Sequence, residues 1–245
     1  MTENYEDFIS TVSHELRTPL TSIRGFSDTM LNSWDRLDDE SKKKFIKIIK
    51  EQSERLITMV ENILSVTKLQ SENDRIVLKS VEVQPAIESV IQLLKNQYPH
   101  KNFILNIKSK IPEIFADKDK FQQILVNLIE NACKYSDNNN DIWIDAGWGE
   151  NFNSITINVT NLGVGINKTD YEKIFTKFSR IDTPLTRKVQ GSGLGLYITK
   201  NLLSKMGGKI SVISDNIDAV TSKTTFTIEM PIFDIEKQAR SKCVQ

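Results

Sequence analysis

His14, one of two histidines in the chain, lies in the run SHELRTPL. A neutral imidazole nitrogen is a competent nucleophile near neutral pH. Glu15 beside it can accept or orient a proton, and Thr18, four residues on, shares its helical face. Pro19 removes the backbone hydrogen bond to the carbonyl of Glu15 and crowds it, which predicts a bend at the reactive turn. A lone helical histidine is usually a surface or bundle residue, so His14 and Glu15 by themselves do not define a site.

A second set of candidates lies in FQQILVNLIENACKYS. Phe121, Leu125, Leu128 and Ala132 form one helical stripe, and Asn127, Asn131 and Lys134 form another, rotated by roughly 120°. Amide oxygens are hard ligands suited to Mg²⁺, and an ammonium suits phosphate. The common meaning of such a row is a solvated helix face. Further on, Asn161-Leu-Gly-Val-Gly165 follows a strand pattern and Gly191-Ser-Gly-Leu-Gly195 leads into a helical one. Glycine turns let backbone N–H groups approach phosphate, and a helix N-terminus adds a favourable dipole. The second turn follows no strand, so it is a poor dinucleotide fingerprint, and GxxxxGK[ST] is missing.

Elements that could position these residues follow from the periodicity. Segments 4–32 and 39–70 each carry apolar residues at steps of three and four, Phe8, Val12 and Leu16 in the first, Phe45, Ile49 and Leu56 in the second. The short polar link Asn32–Asp39 makes them an antiparallel hairpin, with Asp38 or Asp39 as N-cap of the second helix. Two helices cannot enclose a core on every side, so a dimeric four-helix bundle is expected. From about residue 73 the period changes. Strands are expected at Ile76–Val83, Phe103–Lys108, Asp141–Trp148, Ser154–Thr160, Lys209–Ser214 and Lys223–Met230, and helices at 84–97, 117–136 and 194–206. The fold class is therefore α + α/β: a helical hairpin, then a mixed sheet with helices packed on it.

The bulk numbers narrow the function. The 32 basic and 32 acidic residues cancel, so no general pull toward nucleic acid or anionic membrane is expected. Two cysteines, Cys133 and Cys243, have no metal-ligand spacing and fit a reducing cytoplasm. MTENYEDF lacks the apolar run of a signal peptide, and no stretch approaches the length of a transmembrane helix. Any membrane attachment would come from regions outside this chain.

SHELRTPL matches, residue for residue, the phosphoacceptor box of the HisKA sensor kinases. The helix bearing Asn127 and Asn131, the Asn161 glycine turn, IFTKFSR and GSGLGL occur in the order and approximate spacing of the N, G1, F and G2 boxes. The chain thus resembles a sensor histidine kinase of a two-component system over residues 5–231: a HisKA phosphoacceptor domain and a GHKL-type ATPase, an α/β sandwich. The resemblance implies domains at 1–72 (dimerisation and phosphotransfer) and 73–233 (ATP-binding), with a tail at 234–245. It implies ATP-dependent autophosphorylation on His14, Glu15 as base, transfer to the receiver-domain aspartate of a response regulator, and regulator dephosphorylation aided by Thr18. Asn131 would hold Mg²⁺, with Asn127 on the same face. Lys134 and the lid residues Arg187 and Lys188 would reach phosphates, Tyr135 would pack near the nucleotide, and Gly163 and Gly165 belong to the G1 turn. Gly191, Gly193, Leu194 and Gly195 would shape the closing end of the lid, and Phe175 and Phe178 would pack it. The expected location is cytoplasmic, as a soluble protein or the cytoplasmic part of a membrane-bound sensor.

Two positions depart from the family pattern. The G1 box ordinarily begins with aspartate, which accepts a hydrogen bond from the adenine amino group; here the residue is Asn161. A neutral acceptor is weaker by about 1 kcal/mol or more, which would weaken ATP binding roughly tenfold. Where relatives have Gly-x-Gly before Thr-x-Phe, this chain has Thr221-Ser-Lys223. The alternative expectation is a kinase-deficient, regulator-binding or phosphatase protein whose ATP binding is weakened at Asn161. A scaffold without chemistry is disfavoured by the retention of His14, Asn131, Lys134 and GSGLGL.

Overall fold

The computed structural model describes residues 3–70, 75–108, 110–136, 141–150, 152–179, 191–218 and 221–233. The chain divides into two compact units, Met1–Lys68 and Leu69–Gln245.

The first unit is a hairpin of α1 (Glu3–Ser33) and α2 (Asp39–Gln70), joined through a 3-10 turn at Trp34–Arg36. Phe26 stacks obliquely on Phe45, ring centroids 5.1 Å apart, and Glu15 meets Arg55. Moving back along α1 means moving forward along α2, so the helices are antiparallel. Asp38 caps α2: its carboxylate accepts from the Ser41 backbone N–H at 2.6 Å, which holds its pKa below the ordinary value. The expected N-cap is thus Asp38 rather than Asp39. Helix α1 runs through Pro19, which is buried. Leu20, Ile57, Val60 and Leu64 are exposed. The unit thus leaves apolar surface on both helices uncovered.

The second unit is built on a five-stranded sheet in the order β2 (Asn102–Ile107), β4 (Asp141–Trp148), β5 (Ser154–Gly163), β7 (Ser222–Pro231) and β6 (Lys209–Asn216). Strands β2 and β4 are parallel and the other neighbours antiparallel. A second, two-stranded sheet pairs β1 (Lys79–Val81) with β3 (Ile114–Ala116). Helices α3 (Val83–Gln97), α4 (Lys118–Tyr135) and α5 (Gly195–Lys205) complete the sandwich. Alternation places Ile142 and Ile144 of β4, Ile155, Ile157 and Val159 of β5, and Phe226, Ile228 and Met230 of β7 in the core. Helix α4 adds Phe121, Ile124, Leu125, Leu128 and Ile129, all 0% exposed. Burying each large apolar side chain stabilises the fold by about 1.5–3 kcal/mol. Asp117 caps α4, accepting from the N–H groups of Asp119 and Lys120.

Some elements differ from the sequence reading. The strand expected at Ile76–Val83 is confined to Lys79–Val81, because Val83 already opens α3. The three residues of β3 are too short for periodicity to reveal. Strand β5 continues past Thr160 to Gly163, so Asn161 lies within the sheet rather than in a turn after it. No helix among the described residues is long and apolar enough to cross a membrane.

Candidate active site

In the hairpin, His14 is exposed on α1. The Thr18 hydroxyl donates to the His14 carbonyl at 3.4 Å, within the segment where Pro19 withholds a backbone donor. Arg55 reaches from α2 to within 3.7 Å of a Glu15 carboxylate oxygen. Its Nε is buried without a hydrogen-bond partner, so the guanidinium is committed to this side of the hairpin by burial rather than by a complete set of bonds. Sequence reasoning missed Arg55: the contact depends on the register of α2 against α1, which periodicity does not fix.

In the second unit, α4, the end of β5 and the start of α5 surround a cavity of about 590 Å³, counting its open mouth. Asn131, Tyr135, Asn161 and Gly165 line it together with apolar side chains including Val164, Ile166, Leu196 and Phe226. Asn161 pairs across β5 with Ile142 on one side and Thr224 on the other. It is 2% exposed, and its Nδ2 has no hydrogen-bond partner. Gly163 brings this strand end against α4: a Cβ there would fall 2.1 Å from the Tyr135 carbonyl oxygen. The Val164 N–H donates to that same carbonyl at 3.1 Å.

The remaining described candidates do not line this cavity. Asn127 donates from Nδ2 to the Thr199 hydroxyl at 2.8 Å, tying α4 to α5. Gly195 opens α5 so close to it that a Cβ would lie 2.1 Å from Asn127 Oδ1. Gly193 has φ +66°, a left-handed conformation that glycine adopts without cost, and packs on the Phe178 backbone. Leu194 is fully buried, whereas a Cβ on Gly191 would meet nothing within 4 Å. Lys134 forms an ion pair with Glu130 at 2.9 Å, and Glu130 also accepts from the Tyr98 hydroxyl at 3.3 Å. Burial, and secondarily Glu130, push the Tyr98 phenol upward in pKa. Phe175 is buried edge-on against Phe226. Arg187 and Lys188 lie outside the described residues, as do Cys243 and the tail at 234–245.

The cavity fits a purine nucleotide. It is apolar-walled, carries an unsatisfied buried amide, and opens beside α4, where the Asn131 amide makes no hydrogen bond among the described residues. A hard cation completed by phosphate and water would suit that amide oxygen.

A helical hairpin with an exposed histidine, followed by a GHKL-type α/β sandwich, defines a class. Residues 5–72 match the His Kinase A (phospho-acceptor) domain, and residues 116–233 match the histidine kinase-, DNA gyrase B-, and HSP90-like ATPase family. The chain belongs to the sensor histidine kinases. It is 33% identical over 232 residues to the sensor histidine kinase WalK of Bacillus subtilis (strain 168), covering 93% of this chain and 37% of that protein. It is also 33% identical over 205 residues to the sensor protein kinase WalK of Staphylococcus aureus, covering 83% of this chain and 49% of that protein. The chain thus spans less than half the length of these relatives. The structure of histidine kinase ThkA in complex with response regulator protein TrrA superposes with TM-score 0.72 and 27% identity, over 93% of this chain and 61% of that one. Full-length ShkA in complex with AMPPNP gives TM-score 0.62 at 23% identity, over 93% of this chain and 46% of that one, a likeness of fold.

Proposed function

We propose that this chain binds ATP in the cavity beside α4, phosphorylates His14 and passes the phosphoryl group to an aspartate of a response regulator receiver domain. The observation that carries the reading is the apolar cavity with the buried, unsatisfied Asn161 amide at its base, in a chain that also exposes His14. The AMPPNP bound by ShkA and the regulator bound by ThkA support the substrate and the partner. In this reading residues 1–72 dimerise through the uncovered apolar surface of α1 and α2, and residues 73–233 hold the nucleotide. The chain works on the cytoplasmic side, where ATP is, and any membrane attachment lies in other regions.

An imidazole nitrogen of His14 attacks the terminal phosphorus, the P–N bond forms, and the P–O bond to ADP breaks. Glu15 takes the ring proton, and Arg55 holds the Glu15 carboxylate in position. Asn131 would hold Mg²⁺, which when bound neutralises charge on the phosphate oxygens. Lys134 can exchange Glu130 for phosphate, and Arg187 and Lys188 add cations from the lid. Glu15 and Thr18 would also orient water for regulator dephosphorylation. Asn161 favours a second reading: a neutral acceptor at the base weakens ATP binding and shifts the balance toward phosphatase.

The test is incubation with γ-labelled Mg-ATP. Acid-labile, alkali-stable label that is absent in His14→Ala, with nucleotide affinity unchanged in that variant, is the expected result. Label that persists in His14→Ala would sink the assignment of the phosphoacceptor.

A further inference from the structure

Among the described residues, the polar groups that line the cavity are all uncharged. Asn161 is 2% exposed and lines the cavity, its Nδ2 is unpaired, and among the described residues no hydrogen bond fixes which way its amide is turned. Directly across the ladder, Thr224 Oγ1 lies 2.9 Å from Ser214 Oγ, and either hydroxyl can be the donor. Ser214 Oγ also accepts from the Ile166 N–H at 3.0 Å, and Ser214 and Thr224 are 8% and 3% exposed. Ile166 and Thr224 line the cavity with Asn161, and among the described residues no charged side chain does.

Each of these groups can reverse its polarity. A carboxylate at position 161 could only accept. An amide accepts through Oδ1 or, after a half turn, donates through Nδ2. The hydrogen bond between Thr224 and Ser214 can run in either direction as the hydroxyls rotate, leaving Thr224 free to donate or to accept. A 6-aminopurine offers a donor at C6 and an acceptor at N1, and a 6-oxopurine offers the reverse. We propose that Asn161 is a specificity-determining residue and that this site takes 6-oxopurine nucleoside triphosphates as well as ATP. The inference rests on the reading of the cavity as the nucleotide site. The buried amide is then satisfied by either base, which its unpaired state in the protein alone requires. Triphosphate and ribose contacts are common to both ligands, so discrimination falls to the base edge. A site whose buried groups are mispaired against a ligand rejects it by orders of magnitude, whereas one whose groups can turn does not.

The experiment is titration calorimetry on the full chain with ATP, inosine triphosphate and CTP. Inosine triphosphate is chosen because it carries the 6-oxo group without the 2-amino group of guanine. Its Kd is expected within about tenfold of that for ATP, with CTP far weaker. In Asn161→Asp, ATP should tighten and inosine triphosphate weaken, so that the ratio of their Kd values moves by at least about tenfold. ATP binding with inosine triphosphate about a hundredfold weaker on the unmodified chain would overturn this inference and leave the nucleotide site standing. That comparison needs no variant to fold. An unchanged ratio in a folded Asn161→Asp would also overturn it. Failure of every nucleotide to bind would overturn the nucleotide reading along with it.

Discussion

Gly195 and Asn127 form a lock between α4 and α5 whose energetics can be worked from distances. A Cβ at 195 would fall 2.1 Å from Asn127 Oδ1, 2.9 Å from Cγ and 3.2 Å from Nδ2. In Gly195→Ala the amide must therefore move, breaking its 2.8 Å bond to the Thr199 hydroxyl. Thr199 is 1% exposed, so water does not replace the lost partner. Leaving a buried hydroxyl short of a partner costs about 1–3 kcal/mol. Residual crowding adds about 1–3 kcal/mol, and the better helix propensity of alanine returns up to about 1 kcal/mol. These contributions bound the net loss for Gly195→Ala at about 1–6 kcal/mol, about 3 kcal/mol at mid-range. Asn127→Ala loses the hydrogen bond without the clash, about 1–3 kcal/mol. In the double variant the new methyl occupies space the amide has left, so adding Gly195→Ala to Asn127→Ala should cost almost nothing. The cycle should show a coupling of about 2 kcal/mol or more. Urea unfolding in a Trp34→Phe background, followed by Trp143 and Trp148 fluorescence, reads the second unit alone. Costs that add to within about 0.5 kcal/mol would refute the lock.

Three further outcomes follow from named contacts. Asn131→Ala should abolish the Mg²⁺ dependence of ATP affinity in calorimetry, because it removes the amide oxygen at the mouth of the cavity; an unchanged dependence would exclude it as ligand. Arg55→Met removes the ion-pair partner of Glu15 but keeps the apolar stem, and should slow His14 labelling about tenfold with nucleotide Kd unchanged. An unaltered rate would reduce Arg55 to a structural residue. Burial pushes the Cys133 thiol up to about 12 from an ordinary 9.0, so in a Cys243→Ser background iodoacetamide at pH 8.5 should leave it unlabelled until denaturant is added. The unfolded chain sheds that proton near pH 9 while the fold keeps it, so stability from this thiol is whole below 9 and declines toward 12. Cys133→Ala should flatten that alkaline slope, measured as the urea midpoint against pH.

The sequence marked the candidate residues more readily than the partners they meet in the fold, and the reason is the range of the contacts. His14, Glu15 and Thr18 lie within one helical turn of one another, so one short run could be matched to the phosphoacceptor box, although residue type and spacing by themselves did not define a site. Glu130 and Lys134 are also four residues apart in the favourable order, and that pair was legible. The reading instead set Lys134 in a row with Asn127 and Asn131 facing phosphate. Asn127 belongs to the same row but is turned to Thr199, 72 residues away, a contact decided by how α5 docks. Arg55 meets Glu15 only because of the hairpin register. Asn161 was legible as a departure in residue type, yet its place was not, because Asn-Leu-Gly after an alternating run has the composition of a turn. The ladder to Thr224 and Ser222 overrides that composition and carries β5 through to Gly163.

The placement changes what the substitution means. In a turn, an asparagine can trade its amide with water and with neighbouring backbone, and its orientation is of little consequence. In β5, flanked by Ile142 and Thr224 and almost fully buried, the amide has only the cavity to turn to. A carboxylate in that position would be an ionised group desolvated beside Phe226 and Ile174, tolerable only when a donor is bound. The amide relieves that cost in the empty site and gives up the fixed polarity that a charge imposes. Weaker selection at the base is therefore the physical counterpart of a more comfortable pocket, and the two should rise and fall together in Asn161→Asp. That variant should bind ATP more tightly and be less stable without it, a pairing that thermal unfolding with and without nucleotide would expose. Gain in both, or loss in both, would show that the amide is not responsible for either.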